Sequence, residues 1–62
     1  MTTFETVSFP NQQDLANRLH QLGAVEQPLG VWAKQNHYER EYGVPYGTAY
    51  VRGLELTIAR YD

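Results

Sequence analysis

One group of side chains in this sequence combines residue types that can ligate a metal ion. His37, Glu39 and Glu41 alternate along the chain and would share one face of a β-strand. Imidazole and carboxylate groups in that arrangement could supply two or three ligands to a metal ion. The other histidine, His20, falls in a predicted helix, so the ligand set is incomplete. We therefore expect a solvated acidic face, with no metal and no other cofactor.

The chain has little of what enzyme catalysis needs. Ser8 is the only serine, Asp14 and Asp62 are the only aspartates, and there is no cysteine. No Gly-x-Ser-x-Gly nucleophile turn occurs, and no Lys-Ser/Thr pair follows the glycines as it does in a phosphate-binding loop. A chain of 62 residues also has little volume for a substrate pocket. We expect that the protein is not an enzyme.

The most regular feature is a tyrosine series with a spacing of four residues: Tyr38, Tyr42, Tyr46 and Tyr50. The glycines and the proline between residues 42 and 48 disfavour a helix there. On a strand, positions of equal parity share a face. We therefore predict an antiparallel hairpin with the loop Gly43-Val44-Pro45, in which Tyr42 lies opposite Tyr46 and Tyr38 opposite Tyr50.

The first third of the chain predicts a strand followed by a helix. Residues 3–9 alternate in the manner of a short strand, which Pro10 would end. Asn11 is a typical helix N-cap, and Leu15, Leu19 and Leu22 form one apolar stripe with helical spacing. Gly23 can end the helix in the left-handed conformation. These signals predict a helix over residues 11–22.

The fold that follows is a single α+β domain covering residues 1–62, with the order β-α-β-β. Residues 24–28 have no periodicity, and the strand formers Tyr, Val, Trp and Thr dominate after Leu29. We predict a short strand, one amphipathic helix and a long antiparallel hairpin packed on that helix. The first strand could complete a three-stranded sheet. The packed face of the hairpin would consist of even-numbered residues: Trp32, the four tyrosines, Leu54, Leu56 and Ile58.

A comparison of lengths suggests where a partner binds. A helix of about 12 residues spans ~18 Å, whereas a strand over residues 29–42 would run ~45 Å. The helix cannot cover such a strand, so its tip would project with an exposed set of side chains: Tyr38, Arg40, Tyr42, Tyr46 and Tyr50. Tyrosine combined with arginine is typical of binding hot spots. The alternative is that the strand bends and the tyrosines cover a small core with their hydroxyls in water.

Residues 39–52 also admit a second interpretation. Gly43-Val44 stands where a helix-turn-helix places its turn, and Tyr46, Thr48 and Arg52 follow in a possible recognition segment. Over about 15 residues this segment resembles small phage-type repressors and excisionase-like regulators, which implies a DNA-binding regulator. A third interpretation has the tyrosines stacking on single-stranded bases while Lys34, Arg40 and Arg52 contact phosphates from the same face.

Composition and charge favour a protein partner over nucleic acid. Seven acidic and five basic residues give a net charge of −2, whereas nucleic-acid-binding domains are usually basic. No apolar run approaches the ~18 residues that a membrane span needs, and the first residues lack secretory-signal features, so we expect a cytoplasmic protein. We predict a small non-enzymatic interaction protein that binds a protein partner or a second copy as a homodimer. By analogy with other very small proteins, it would be an accessory or inhibitor protein of a phage or mobile element.

Overall fold

The computed structural model describes residues 1–61 as one antiparallel sheet with two helices. The elements are β1 (Thr2–Ser8), α1 (Gln12–Gln21), β2 (Val25–Gln27), α2 (Val31–Gln35), β3 (Arg40–Val44), β4 (Gly47–Arg52) and β5 (Glu55–Tyr61). The five strands lie in the order β1-β5-β4-β3-β2, so the first strand pairs with the last. The predicted α+β class is confirmed. The predicted β-α-β-β order is incomplete, because it lacks β2, α2 and the separation of β4 from β5.

Helix α1 and its caps agree with the sequence prediction. The Asn11 side chain accepts a hydrogen bond from the backbone N–H of Asp14 at 2.8 Å, as an N-cap does. Leu15 and Leu19 are buried, and Gly23 has a φ of 69° just after the helix. The apolar stripe therefore faces the sheet, and the polar side chains face solvent.

The main core lies between α1 and one face of the sheet, which we call the helix-1 face. Leu15 and Leu19 pack there against a cluster from three strands: Tyr42, Ala49, Val51 and Leu56. Phe9, Leu22, Ala24, Val44 and Ile58 border this cluster. Because side chains alternate along a strand, Ala49 and Val51 face α1 while Tyr50 between them faces away.

The predicted strand over residues 29–42 is wrong, because its first half is helix α2. Gly30 caps this helix in an extended conformation, and His37, with a φ of 63°, lets the chain turn out of it toward β3. Ala33 is 1% exposed and packs with Tyr50 and Ala59 on the sheet face opposite α1, which we call the helix-2 face. A sheet that has apolar residues on both faces needs a cover on each, and α2 covers the second.

The predicted register of the tyrosine hairpin is also wrong. Tyr42 lies opposite Ala49 and Val44 opposite Gly47, so the turn is Pro45-Tyr46. The observed register differs from the predicted one by an odd number of residues, and such a shift moves one strand's side chains to the other face. Tyr42 therefore lies on the helix-1 face and Tyr50 on the helix-2 face. This register buries both rings, whereas the predicted one left both exposed at a projecting tip.

A second hairpin interrupts what was predicted as one continuous strand. Arg52 pairs with Glu55, and Gly53 and Leu54 form the turn between them. Gly53 has a φ of 61°, the conformation that a type II′ turn requires at its first central position. Leu56 and Ile58 consequently lie on β5, next to β1.

Residues 39–52 form strands β3 and β4 rather than a helix-turn-helix. The sheet also has five strands, where the prediction allowed three. Within residues 1–61, neither helix has the length and apolar character needed to cross a membrane.

Candidate protein-binding surface

Five aromatic side chains from different parts of the chain meet on the helix-2 face. We call this group the aromatic surface: Phe4, Trp32, Tyr38, Tyr50 and Tyr61. Strand β1 contributes Phe4, helix α2 contributes Trp32, β4 contributes Tyr50 and β5 contributes Tyr61, while Tyr38 lies between α2 and β3. Phe4 pairs with Ala59, and Thr2 pairs with Tyr61, so the β1 and β5 members are neighbours in the sheet.

Trp32 is the centre of this surface. Its ring lies 5.6 Å from the ring of Phe4 and 5.7 Å from that of Tyr38, and it is stacked on both. Tyr50 lies beneath, 4.9 Å from Trp32 and 5.0 Å from Tyr38 between ring centroids. These separations are those of favourable aromatic pairs. The rings therefore hold one another in place.

Much of the surface is open to solvent. Trp32 is 43% exposed, Phe4 54% and Tyr61 58%, although all three are large aromatic side chains. They border a shallow cleft of about 450 Å³, and Ala59 and Tyr50 also line it. A contiguous exposed group of this kind marks an interaction site more often than scattered single apolar residues do.

A cation lies at one border of the aromatic surface. The Arg52 guanidinium carbon is 4.8 Å from the centre of the Tyr38 ring, and its Nη1 donates to the backbone carbonyl of Asn36 at 2.8 Å. Within residues 1–61, no carboxylate forms a salt bridge with Arg52. The guanidinium is therefore held in one position by the Tyr38 ring and the Asn36 carbonyl.

Tyr50 connects the surface to the interior. It is 8% exposed, and burial raises the pKa of its hydroxyl to about 12, with the neighbouring Tyr61 hydroxyl acting in the same direction. Tyr61 in turn is hydrogen-bonded to the Thr48 hydroxyl at 2.8 Å. Tyr50 stays neutral at physiological pH and supports Trp32 rather than offering a charge.

Helix α2 is attached to the sheet through Glu41. This side chain accepts a hydrogen bond from the backbone N–H of Gly30 at 3.1 Å and another from the side chain of Gln27. Gly30 immediately precedes α2, so Glu41 fixes the start of the helix that presents Trp32. On the sequence alone Glu41 was assigned to a solvated acidic face. In the structure it positions the site.

The structure does not bring the five predicted site residues together. Tyr38 and Tyr50 lie in the aromatic surface, but Tyr42 is 9% exposed in the core beneath α1. Arg40 is exposed and pairs with Val51, which places it on the helix-1 face. Tyr46 lies in the hairpin turn, where the Arg60 guanidinium carbon is 4.7 Å from its ring centre. Whether any of them contacts a partner stays a prediction.

Sequence reasoning missed the three most exposed rings of the surface. Phe4 could have been found, because it stands alone on the face of β1 opposite Val7 and Phe9. A strand over residues 29–42 would put Trp32 on the face that packs against α1, whereas α2 places it on the helix-2 face. Tyr61 lies outside the tyrosine series with four-residue spacing, so no periodic pattern indicated that it belongs to the surface. Each of them reaches the site only through the β1–β5 pairing or through α2.

The other groups considered from the sequence are not assembled. His37 lies just after α2 rather than on a strand face, and residues 1–61 contain no cluster of three His, Cys, Asp or Glu side chains that could hold a metal ion. Of the three cations predicted for a single-strand nucleic-acid platform, Lys34 lies on α2 and Arg52 projects from the helix-2 face that α2 covers. Arg40 projects from the opposite face, so the predicted cation row is divided.

No protein-family model matches this chain, and no curated protein and no solved structure is significantly similar to it.

Proposed function

We propose that this protein is a non-enzymatic binding module that recognises a protein partner through the aromatic surface. The observation that carries the proposal is the position of Trp32. Its indole is 43% exposed, yet it is stacked between Phe4 and Tyr38 and supported from below by Tyr50. A ring held in this way loses little conformational entropy when a partner covers it.

The composition of the surface favours a protein as the occupant. Tryptophan, tyrosine and arginine are the residue types most enriched in interface hot spots. The open cleft next to Trp32 suits an apolar side chain, and the Arg52 guanidinium at its border suits a carboxylate. We therefore propose a partner segment that carries an apolar residue close to an acidic one.

A nucleic-acid partner is less consistent with the charge distribution. Single-strand binding combines stacking rings with cations that follow the phosphates. On the helix-2 face Arg52 is the arginine next to the rings, while Arg40 and Arg60 project from the opposite face. The net charge of −2 also lowers the affinity for a polyanion.

The first experiment compares proteins retained by the wild-type chain with those retained by Trp32→Ser, with Gln13→Ala on the exposed side of α1 as the matched control. A specific partner should be retained by wild type and control and lost by Trp32→Ser. The partner is then purified and its affinity measured by calorimetry. We expect Trp32→Ser to cost about 2 kcal/mol or more of binding free energy, as hot-spot tryptophans do.

The second experiment uses the fact that Trp32 is the only tryptophan of the chain. Its fluorescence should change when the purified partner is added, and Arg52→Gln should weaken binding most at low salt. Retention of the same partner by Trp32→Ser with unchanged affinity would contradict the proposal. A fluorescence change upon addition of oligothymidylate, reversed by salt, would point to a nucleic-acid platform instead.

A further inference from the structure

Strand β1 has a free edge whose backbone groups can be identified. It is the outermost strand on its side of the sheet and pairs only with β5. The backbone N–H of Phe9 donates to the carbonyl of Leu54 at 2.9 Å, so the amide of residue 9 points toward β5. Amides alternate in direction along an antiparallel strand. The outward-pointing amides of β1 are therefore those of its even-numbered residues: Thr2, Phe4, Thr6 and Ser8.

This edge lacks most of the features that normally block pairing between proteins. Its pairing with β5 is continuous from Thr2 to Ser8 without a bulge, and it contains neither proline nor lysine. All seven residues are exposed. The opposite edge of the sheet is β2, which has three residues and is too short to template a stable partner strand. Among residues 1–61, β1 is therefore the long edge strand, and its even-numbered amides point away from the sheet.

We propose that two copies of this chain associate by antiparallel pairing of their β1 strands, joining the two sheets across a two-fold axis at Phe4. In this register Phe4 lies opposite the partner's Phe4, Thr2 opposite the partner's Thr6, and Thr3 opposite the partner's Glu5. The even-numbered amides of each strand form the new hydrogen bonds. Binding of a protein partner at the aromatic surface does not require this pairing of β1 strands. The dimer is therefore independent of the proposed function.

The glutamate in the middle of the strand selects the register. Two-fold registers that bond the even-numbered amides along most of the strand are centred on Phe4, Glu5 or Thr6. Centring on Glu5 would place two carboxylates directly opposite each other, which is unfavourable. Centring on Thr6 would place Glu5 opposite an apolar valine. Centring on Phe4 places Glu5 opposite the partner's Thr3 and leaves no like-charge pair.

The side chains also favour a second copy as the occupant of this edge. The Phe4 ring is 54% exposed although it is stacked on Trp32. Pairing about Phe4 sets two such rings side by side on one face, as an aromatic cross-strand pair. The Thr2–Thr6 pairs on either side are also compatible. The strand is therefore complementary to itself. A short chain also gains more stability from an interface than a long one does, because folding of its monomer buries a smaller fraction of its surface.

Sedimentation equilibrium of the full chain tests the association. Wild type is expected to be a dimer at micromolar concentration. Thr6→Pro removes one outward amide from each copy and none of the amides that face β5, so the dimer dissociation constant should rise about tenfold or more. Thr6→Val is the matched control. It also loses the hydroxyl that is 2.9 Å from the Thr57 hydroxyl, but it keeps the amide and should remain dimeric.

Circular dichroism and the melting temperature establish that Thr6→Pro is folded. If it is not, Phe4→Lys serves as the second variant, because it places two ammonium groups at the axis and should give a monomer. A wild-type chain that is monomeric at millimolar concentration overturns the proposal. So does a dimer that Thr6→Pro and Phe4→Lys both leave intact.

Disulfide trapping tests the register, since the chain has no cysteine of its own. Thr3 and the partner's Glu5 would form a non-hydrogen-bonded pair with Cα atoms about 4.5 Å apart, within reach of a disulfide. The double variant Thr3→Cys/Glu5→Cys should become a covalent dimer upon oxidation, while each single variant should not. Covalent dimers from Glu5→Cys alone would overturn the register, because they would place residue 5 opposite residue 5 of the partner. Trp32→Ser should still dimerise, which separates this test from that of partner binding.

Discussion

Gly47 and Ala59 approach each other so closely across β4 and β5 that a Cβ atom on Gly47 would overlap the carbonyl oxygen of Ala59. Gly47 is the first residue after the Pro45-Tyr46 turn and pairs with Arg60. Backbone atoms surround the position, so a side chain there cannot be accommodated by a rotamer change.

We expect Gly47→Ala to destabilise the protein by about 1–3 kcal/mol or more, since the strands must separate locally to admit the methyl group. Urea unfolding measures the change. Gly30→Ala is the matched control, because the atom nearest to its Cβ would be the Glu41 carboxylate at 3.6 Å, an ordinary contact. Equal stabilities for the two variants would show that β4 and β5 are not packed as described.

Leu56 is the best-buried large side chain of the core, and its truncation should be among the most destabilising. It is 2% exposed and packs beneath α1 with Leu15 and Leu19. Leu56→Ala should lower the free energy of unfolding by about 2–5 kcal/mol. Leu54→Ala, two residues earlier in the Gly53-Leu54 turn and 36% exposed, should have a much smaller effect. A single strand through residues 47–61 would instead put both leucines on one face, and the two effects would be similar.

The Asn11 N-cap of α1 should contribute to the stability of the folded protein. Asn11→Ala removes the acceptor for the backbone N–H of Asp14 and should cost about 1 kcal/mol. Asn17→Ala alters an exposed asparagine inside the same helix and should change stability by less than about 0.5 kcal/mol. Thermal melts of both variants, followed by circular dichroism, make the comparison. A loss of stability no greater for Asn11→Ala than for Asn17→Ala would show that the Asn11 cap does not stabilise this helix.

Tyr50 should make stability fall at high pH. Its pKa is raised by burial to about 12 in the folded chain, whereas an unfolded tyrosine titrates near about 10. Between these values the unfolded state has released the proton and the native state still holds it, so unfolding becomes easier as pH rises. Below about pH 10 this contribution is fully present.

Urea unfolding across about pH 9–12 should show this fall in wild type and a smaller fall in Tyr50→Phe, which has no proton to lose at that position. The difference between the two proteins reports the Tyr50 hydroxyl together with its interaction with the Tyr61 hydroxyl. Identical pH dependences would mean that the Tyr50 hydroxyl is open to water.

The sequence predicted the elements whose signals are local. Strand β1 and helix α1 follow from alternation, from Asn11 and from the spacing of the three leucines, and each signal acts within a few residues. The α+β class and the absence of a local catalytic motif were also accessible without coordinates. The glycines and the proline between residues 42 and 48 correctly disfavoured a helix there, but they could not decide which residues oppose one another.

The register, α2 and the aromatic surface depended on tertiary structure. Whether Tyr42 or Tyr50 faces α1 depends on where the hairpin turns, and the predicted loop Gly43-Val44-Pro45 and the observed turn Pro45-Tyr46 overlap at Pro45. Val31 and Trp32 are strand formers in isolation, yet the second face of the sheet needs a cover, and burial of Ala33 against Tyr50 and Ala59 selects a helix. Phe4 and Tyr61 become neighbours only because the first strand pairs with the last. Local patterning determined β1 and α1, and the requirement to bury both faces of one sheet decided α2, the register and which side chains remain outside.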